Sequence, residues 1–342
     1  MLISIEKLRS GENLPEDEMT QIMTQIMQGD CDDEQIEAFL IALSAKGETA
    51  EEITGAAKVL RNKALALNAP YDAVDCCGTG GDASGTYNIS TAVSIVAAAC
   101  GVPIAKHGNR AASSKSGTAD VLEALGVNLD VPTQALEKSL EELGFAFLMA
   151  PHHHSAMKHV SAARKAIKKR TIFNLLGPLA NPAGTQFQLL GVFDKQWMQP
   201  MATALHELGT KRAWIVHGSD GLDEITVTGE THVAMLDEHG DITERTLTPD
   251  DFGLKTWDME ALKGGEPEEN AIALRAVLEG ASGAYRDIVL ANVAAVLVIH
   301  GSADDLKHGA SKAATAIDNG AALELLTDYV TFSRDYITES HA

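Results

Sequence analysis

Asp75-Cys76-Cys77-Gly78-Thr79-Gly80-Gly81-Asp82 is the stretch on which the reading of this chain turns. Tyr71 to Val74 lead into it as a short apolar strand, and three glycines then crowd into four positions. Asn88-Ile89-Ser90-Thr91 follows and opens an apolar run, Ala92 to Cys100, closed by Gly101. The order predicts strand, glycine-rich turn and helix. Glycines at such a turn let the backbone take positive φ and approach a ligand closely. The amides of the turn and of the helix start point at an anion, and Ser90 and Thr91 add hydroxyls. Taken alone, the turn also reads as a tight corner with no ligand. It has no Gly-Lys-Ser/Thr, so it is not a Walker A loop, and its glycines lack the dinucleotide spacing.

Working outward, 342 residues suggest two domains, and a 45% hydrophobic content allows a sizeable core. The formal net charge of −21 repels nucleic acid and anionic membrane surfaces at long range. It points to a soluble cytoplasmic protein whose anionic substrates would need a local cation or metal. The four cysteines form no Cys-x-x-Cys pair, so neither zinc nor a disulfide framework is expected. Met1 to Lys7 has no signal-peptide layout. The longest apolar run, Ile288 to Ile299, contains Asn292 and is too short to span a bilayer.

Residues 15–67 read as helices only. Met19, Ile22, Met23, Ile26 and Met27 share one helical face, Ile36, Phe39, Leu40 and Leu43 another, and Thr49 with Glu52 forms a capping box. The methionine stripe fits a core or a subunit contact, and the apolar faces exceed what such small helices can cover among themselves, which suits a homodimer. From Tyr71 onward short apolar strands (Val102–Ala105, Phe145–Met149, Gln188–Phe193, Ala213–His217, His232–Leu236) alternate with helical periods, and four helical stretches close the chain. The fold class predicted is α/β: a small all-helical N-terminal domain, 1–68, and a larger domain, 69–342, with a mostly parallel sheet.

Three further segments carry chemistry. Lys106 to Thr118 puts three cations and four hydroxyls just past a predicted strand, unusual in so acidic a chain and suited to a phosphate. Asp223-Glu224 follows the strand ending at His217; adjacent acids there suit magnesium, which takes one or two carboxylates plus substrate phosphates, although alone they also read as solvated turn residues. Arg164, on a helix predicted over Ser155–Lys168, offers a planar fork for a carboxylate. His152-His153-His154 diverge in direction and fit loop packing better than a metal.

Together, Gly78-Thr79-Gly80-Gly81-Asp82, Asn88-Ile89-Ser90-Thr91, Lys106-His107-Gly108-Asn109-Arg110, Ser113-Ser114-Lys115-Ser116-Gly117, Phe173-Asn174-Leu175-Leu176-Gly177-Pro178-Leu179 and Asp223-Glu224 resemble the anthranilate phosphoribosyltransferase family, in order and over nearly the whole chain. The resemblance implies a helical domain completed by about residues 165–180, a fold shared with pyrimidine nucleoside phosphorylases, and a homodimer joined through the helical part. It implies transfer of phosphoribosyl from phosphoribosyl diphosphate to anthranilate in tryptophan biosynthesis. Gly78, Gly81, Asp82, Thr86, Asn88, Ile89, Ser90 and Thr91 would then hold phosphoribosyl diphosphate. Lys106, His107, Gly108, Asn109, Arg110, Ala111, Ala112, Ser113, Ser114 and Thr118 would complete its site. Gly78, Asn109 and Arg164 would contact anthranilate, with His107 nearby. Two magnesium ions per monomer are implied, one on Ser90 and Glu224 and the other on Asp223 and Glu224. No residue is assigned as a general base. Ala111 replaces a frequent serine, Ser155 a common proline, and Ser161-Ala162-Ala163 a more usual proline-valine run.

Two other functions compete. A nucleoside phosphorylase of this fold would need no paired metal site, which Asp223-Glu224 argues against. A nucleic-acid-binding relative would need a basic stripe, which a charge of −21 disfavours.

Overall fold

The computed structural model of the chain describes residues 1–82, 84–111 and 115–339. It begins with four helices, α1 (Leu2–Arg9), α2 (Glu16–Gln28), α3 (Asp33–Lys46) and α4 (Ala50–Lys63). Then come β1 (Val74–Gly78), α5 (Ile89–Ala99), β2 (Ile104–Gly108), α6 (Thr118–Ala124), α7 (Thr133–Leu143) and β3 (Phe145–Met149). Short helices α8 (Ala150–His153), α9 (Ser161–Ile167) and α10 (Phe173–Leu176) lead to β4 (Phe187–Gly191), α11 (Met198–Glu207) and β5 (Arg212–Gly218). A hairpin, β6 (Thr231–Leu236) and β7 (Ile242–Leu247), precedes α12 (Pro267–Leu278), α13 (Ala284–His300), α14 (Leu306–Asp318) and α15 (Ala321–Glu339).

Local chemistry explains the helical block. Asp32 with Gln35 and Thr49 with Glu52 close capping boxes at the starts of α3 and α4. Glu52 is fully buried, yet it accepts Leu14 N at 2.8 Å and pairs with Lys46 at 2.9 Å, so its charge is compensated. The methionine stripe of α2 lies in the chain's own core, with Met19, Met23 and Met27 all buried. As expected, the small helices do not cover these faces among themselves; residues from elsewhere in the chain complete the core. Val160, Ala163, Ile172, Phe173 and Leu176 return to the block, and its core continues into Met198, Met201, Ile215 and Leu236 on one face of the sheet.

The sheet runs β3-β2-β1-β4-β5-β6-β7. The first five strands are parallel and the last two pairings antiparallel. Strand order reverses between β1 and β4, and in open α/β sheets a ligand crevice forms there, outside the strands' carboxyl ends. The opposite face is covered by α5, α12, α13, α14 and α15.

Several sequence boundaries shift. β1 spans Val74 to Gly78, not Tyr71 to Val74, and β2 runs through Lys106 and His107, which sequence placed in a loop. Buried hydrogen bonds permit both. Asp75 accepts Asn181 Nδ2 at 2.8 Å and His107 N at 3.2 Å, and Lys106 Nζ donates to Cys76 O at 2.6 Å. Ser155 to Lys168 is not one helix but a 3-10 turn followed by α9. Helix α1 and strand β7 were not foreseen; β7 is exposed at four consecutive positions and carries no strong apolar alternation.

Candidate active site

The carboxyl ends of β1, β2, β4 and β5 build the site. After β1, Thr79 N donates to Gly191 O at 2.9 Å and Thr79 Oγ1 accepts Phe193 N at 3.0 Å, which ties the glycine loop to the end of β4. Gly80 and Gly81 take φ of +68° and +73°, a conformation that disfavours side chains. Gly80 N donates to Asp223 Oδ2 at 2.7 Å, and the Arg170 guanidinium donates to Gly81 O. Asp223 lies across the strand ends so closely that a Cβ on Gly78 would sit 2.2 Å from its Oδ2, and one on Gly191 1.6 Å from its backbone oxygen. Both glycines are thus needed for close approach rather than for φ.

Asn88 joins three segments at the start of α5. Its Nδ2 donates to Ser116 O at 3.1 Å, and its Oδ1 accepts Ser116 Oγ at 3.0 Å and Asn270 Nδ2 at 2.9 Å. Lys106, 1% exposed, also donates to Ser90 Oγ at 3.2 Å, which carries an ammonium to the floor of the cleft. Asp120 fastens the basic segment by accepting Ala111 N and Gly117 N, each at 2.9 Å. Arg110 pairs outward with Asp120 at 3.0 Å and Glu123 at 2.7 Å.

Two cavities meet at this face. One, of about 330 Å³, is lined by the glycine loop, the start of α5, Lys106, Asn109 and the Asp223-Glu224 pair. The other, of about 470 Å³, is lined by Leu60, Pro151, His154, Arg164, Phe173 and Gly177 among others. His107 and Asn109 line both. Of the residues expected at phosphoribosyl diphosphate, Gly78, Gly81, Asp82, Asn88, Ile89, Ser90, Lys106, His107, Gly108, Asn109, Arg110, Ala111 and Thr118 line the first cavity. Thr86 instead bridges to Lys263, and buried Thr91 donates to Thr118 Oγ1 at 3.3 Å. Ala112, Ser113 and Ser114 lie outside the described residues. Gly78 lines only the first cavity, while Arg164 lines the second.

The electrostatics of the two cavities differ. Burial, then the neighbouring Asp82 charge, pushes the Asp223 carboxyl up from its ordinary range; burial, then Asp223, does the same to Glu224. The pair is therefore short of positive charge, although Lys106 pulls Glu224 the other way. Across the shared wall, burial lowers His107 to about 3 and His154 to about 4, so both rings stay neutral. His107 Nδ1 lies 3.2 Å from Gly177 O and the two rings meet edge-on at 5.2 Å. Arg164 sits 5.3 Å over the Phe173 ring and has no carboxylate partner among the described residues. His152 lies beside Asp130, and His153 Nδ1 beside Leu65 O, so the three-histidine run does diverge.

Sequence reasoning missed Gly191, Asp75, Asn181, His154 and Asn270. Gly191 interrupts the apolar run Gln188–Phe193, a signal that could have been noticed; the others show only through partners distant in sequence.

Comparison with known proteins gives a consistent result. Residues 70–323 match the glycosyl transferase family a/b domain, and residues 4–64 its helical bundle domain. The anthranilate phosphoribosyltransferase of Rhodospirillum rubrum is 56% identical over 94% of this chain and 92% of its own. The crystal structure of the Thermus thermophilus anthranilate phosphoribosyltransferase superposes with a TM-score of 0.91 at 43% identity, covering 96% of this chain and 99% of its own. The Saccharomyces cerevisiae enzyme in complex with PRPP and Mg superposes with a TM-score of 0.90 at 30% identity, covering 98% of each chain.

Proposed function

The chain belongs to the anthranilate phosphoribosyltransferase family, and we infer that it transfers phosphoribosyl from phosphoribosyl diphosphate to anthranilate, releasing diphosphate, in tryptophan biosynthesis. The observation that carries this reading is the junction at His107 and Asn109 of an acid-and-amide cleft with a pocket holding an arginine that lacks a carboxylate partner among the described residues.

The donor's diphosphate lies against the glycine-loop amides, Ser90 and Lys106. Asp223 and Glu224 offer hard carboxylate oxygens, and their raised proton affinity marks a place where a divalent cation would relieve repulsion. Ser90 and Glu224 would hold one magnesium, Asp223 and Glu224 a second; bound there, magnesium would neutralise charge on the departing diphosphate. In the transfer the anomeric C–O bond breaks, a C–N bond forms to the anthranilate amine, and that nitrogen loses a proton. Arg164 grips the anthranilate carboxylate while Asn109, on the shared wall, orients the amine side. A neutral aniline nitrogen is already nucleophilic, so alignment supplies most of what these residues contribute. With His107 neutral, Arg164 and Lys158 are the cations lining that pocket, and only Arg164 offers the planar fork that matches a carboxylate.

The direct test is loss of anthranilate fluorescence on adding phosphoribosyl diphosphate and magnesium, with diphosphate appearing in equal amount. Diphosphate release without anthranilate consumption would reject the acceptor, and no turnover would reject the reaction.

We also read residues 1–68 with about 165–180 as one helical unit, the protein as cytoplasmic, and its working form as a homodimer. Leu2, Ile3 and Ile41 support the dimer, since they are exposed on the mutually packed helices α1 and α3. Ile3→Asp with Ile41→Asp should give monomers by light scattering; a persisting dimer would move the interface elsewhere.

A further inference from the structure

Helix α13 buries 13 of its 17 residues, and one polar side chain interrupts its apolar run. Asn292 is fully buried, and a buried amide is costly unless bonded. Its Oδ1 accepts Ile225 N at 2.9 Å, and its Nδ2 donates to Ile225 O at 2.8 Å and to Ile288 O at 2.8 Å. Both backbone groups of Ile225 are thereby held by one side chain. Ile225 directly follows Glu224, in a loop between β5 and β6 that has no strand partner at that point. Asp220 cross-links the same loop by accepting Thr226 Oγ1 and Thr228 Oγ1, each at 2.5 Å.

Seven residues earlier, on the same helix face, stands Tyr285. Its hydroxyl donates to Asn88 O at 3.0 Å, and its ring stacks on Tyr87 with centroids 4.5 Å apart. One face of one helix therefore touches the residue that opens α5 in the phosphate cradle and the residue next to the acid pair. Two helical turns set these contacts about 10 Å apart along the axis.

We propose that α13 is the positioning element of the donor cleft: Asn292, acting through Ile225, and Tyr285, acting through Asn88, hold the acid pair and the cradle at a fixed separation. The proposal rests on the metal-and-diphosphate reading of that cleft. Neither residue touches substrate; each acts through its neighbour's backbone.

Mn²⁺ binding to the full-length protein, followed by electron paramagnetic resonance in the presence of phosphoribosyl diphosphate, separates the two ideas. Wild type should bind Mn²⁺ saturably and Glu224→Gln should not; absence of binding by wild type would reject the metal reading and the proposal with it. Asn292→Leu, of similar volume, should weaken Mn²⁺ by roughly 10- to 100-fold, the usual effect of losing a second-layer partner. It should leave the KM for anthranilate and the affinity for metal-free inorganic diphosphate unchanged. A folded variant with a lower Tm but wild-type Mn²⁺ affinity would show that Asn292 only stabilises the core and would overturn the proposal. Should Asn292→Leu not fold, Asn292→Asp, which keeps an acceptor for Ile225 N, is judged by the same criterion. Tyr285→Phe removes one hydroxyl from a retained ring. It should raise the KM for phosphoribosyl diphosphate about fivefold, the scale of one neutral hydrogen bond, with the KM for anthranilate unmoved; equal or absent changes would overturn the Tyr285 half.

Discussion

The donor cleft and the acceptor pocket share His107 and Asn109 but are built on different principles. The cleft gathers the ends of four adjacent strands, and its polar groups are fastened to one another: Asp223 to Gly80, Lys106 to Ser90 and Cys76, Asn88 to Ser116 and Asn270. The pocket draws Leu60 from α4, His154 from the turn after α8, Arg164 from α9 and Phe173 from α10. Buried His107 Nε2 and His154 Nε2 have no hydrogen-bond partner among the described residues. Preorganised donors suit a ligand whose charge grows during reaction. An arginine with no carboxylate partner among the described residues suits a flat anionic ligand, so under the proposed reading the cleft serves catalysis and the pocket selection.

The strongest challenge to that division is removal of the acids. Asp223→Asn and Glu224→Gln should each lower turnover by roughly 10²- to 10³-fold, the scale of losing one preorganised electrostatic group, and the double variant should show no diphosphate release above background. Near-normal rates in magnesium would dissolve the distinction. Gly191→Ala comes next. Its Cβ would meet the Asp223 backbone, so the acid must move, and displacement on the order of 1 Å costs about 10²-fold in turnover. Far-ultraviolet circular dichroism should stay unchanged; a variant with full activity would mean that the loop adapts freely.

Arg164→Ala addresses the other side. Losing a charge-assisted contact should cost roughly 1.5–3 kcal/mol, seen as a higher KM for anthranilate with that for phosphoribosyl diphosphate unchanged. Arg164→Lys should restore little, because a point charge cannot match the fork. An equal rise in both constants would show that the cavities are not separable. The last effect concerns stability against pH and leaves turnover at neutral pH untouched. His154 is pushed down to about 4 in the folded chain and returns to an ordinary value near 6.5 on unfolding. The unfolded state thus binds an extra proton, so this contribution is complete above about pH 6.5 and is lost as pH falls toward 4. Unfolding free energies from urea titrations of wild type and His154→Asn should diverge by about 1.4 kcal/mol per pH unit across that window; parallel pH dependence would place a charged imidazole in the folded pocket.

Much of the donor cleft is legible in the chain because its residues are contiguous. Gly80 and Gly81 encode their own backbone conformation, and Asn88 to Thr91 sit where a helix begins. Lys106 and His107 were legible as residues but not as strand, since their polarity argues for a loop until Cys76 O, Ser90 and Asp75 satisfy them. Asn292 was visible as an interruption of an apolar run, yet nothing local says that Ile225 is its partner.

The sequence by itself determined the helical-plus-α/β organisation and offered a glycine-rich strand end suited to an anion, because both follow from backbone preferences and periodicities that act over a few residues. Only the tertiary structure decided that the methionine stripe faces inward, that Gly191 must lack a side chain, and that Arg164 and Asn109 line one pocket. Each of those depends on which distant surface arrives beside the residue, and burial and hydrogen-bond satisfaction are properties of that meeting rather than of either segment alone.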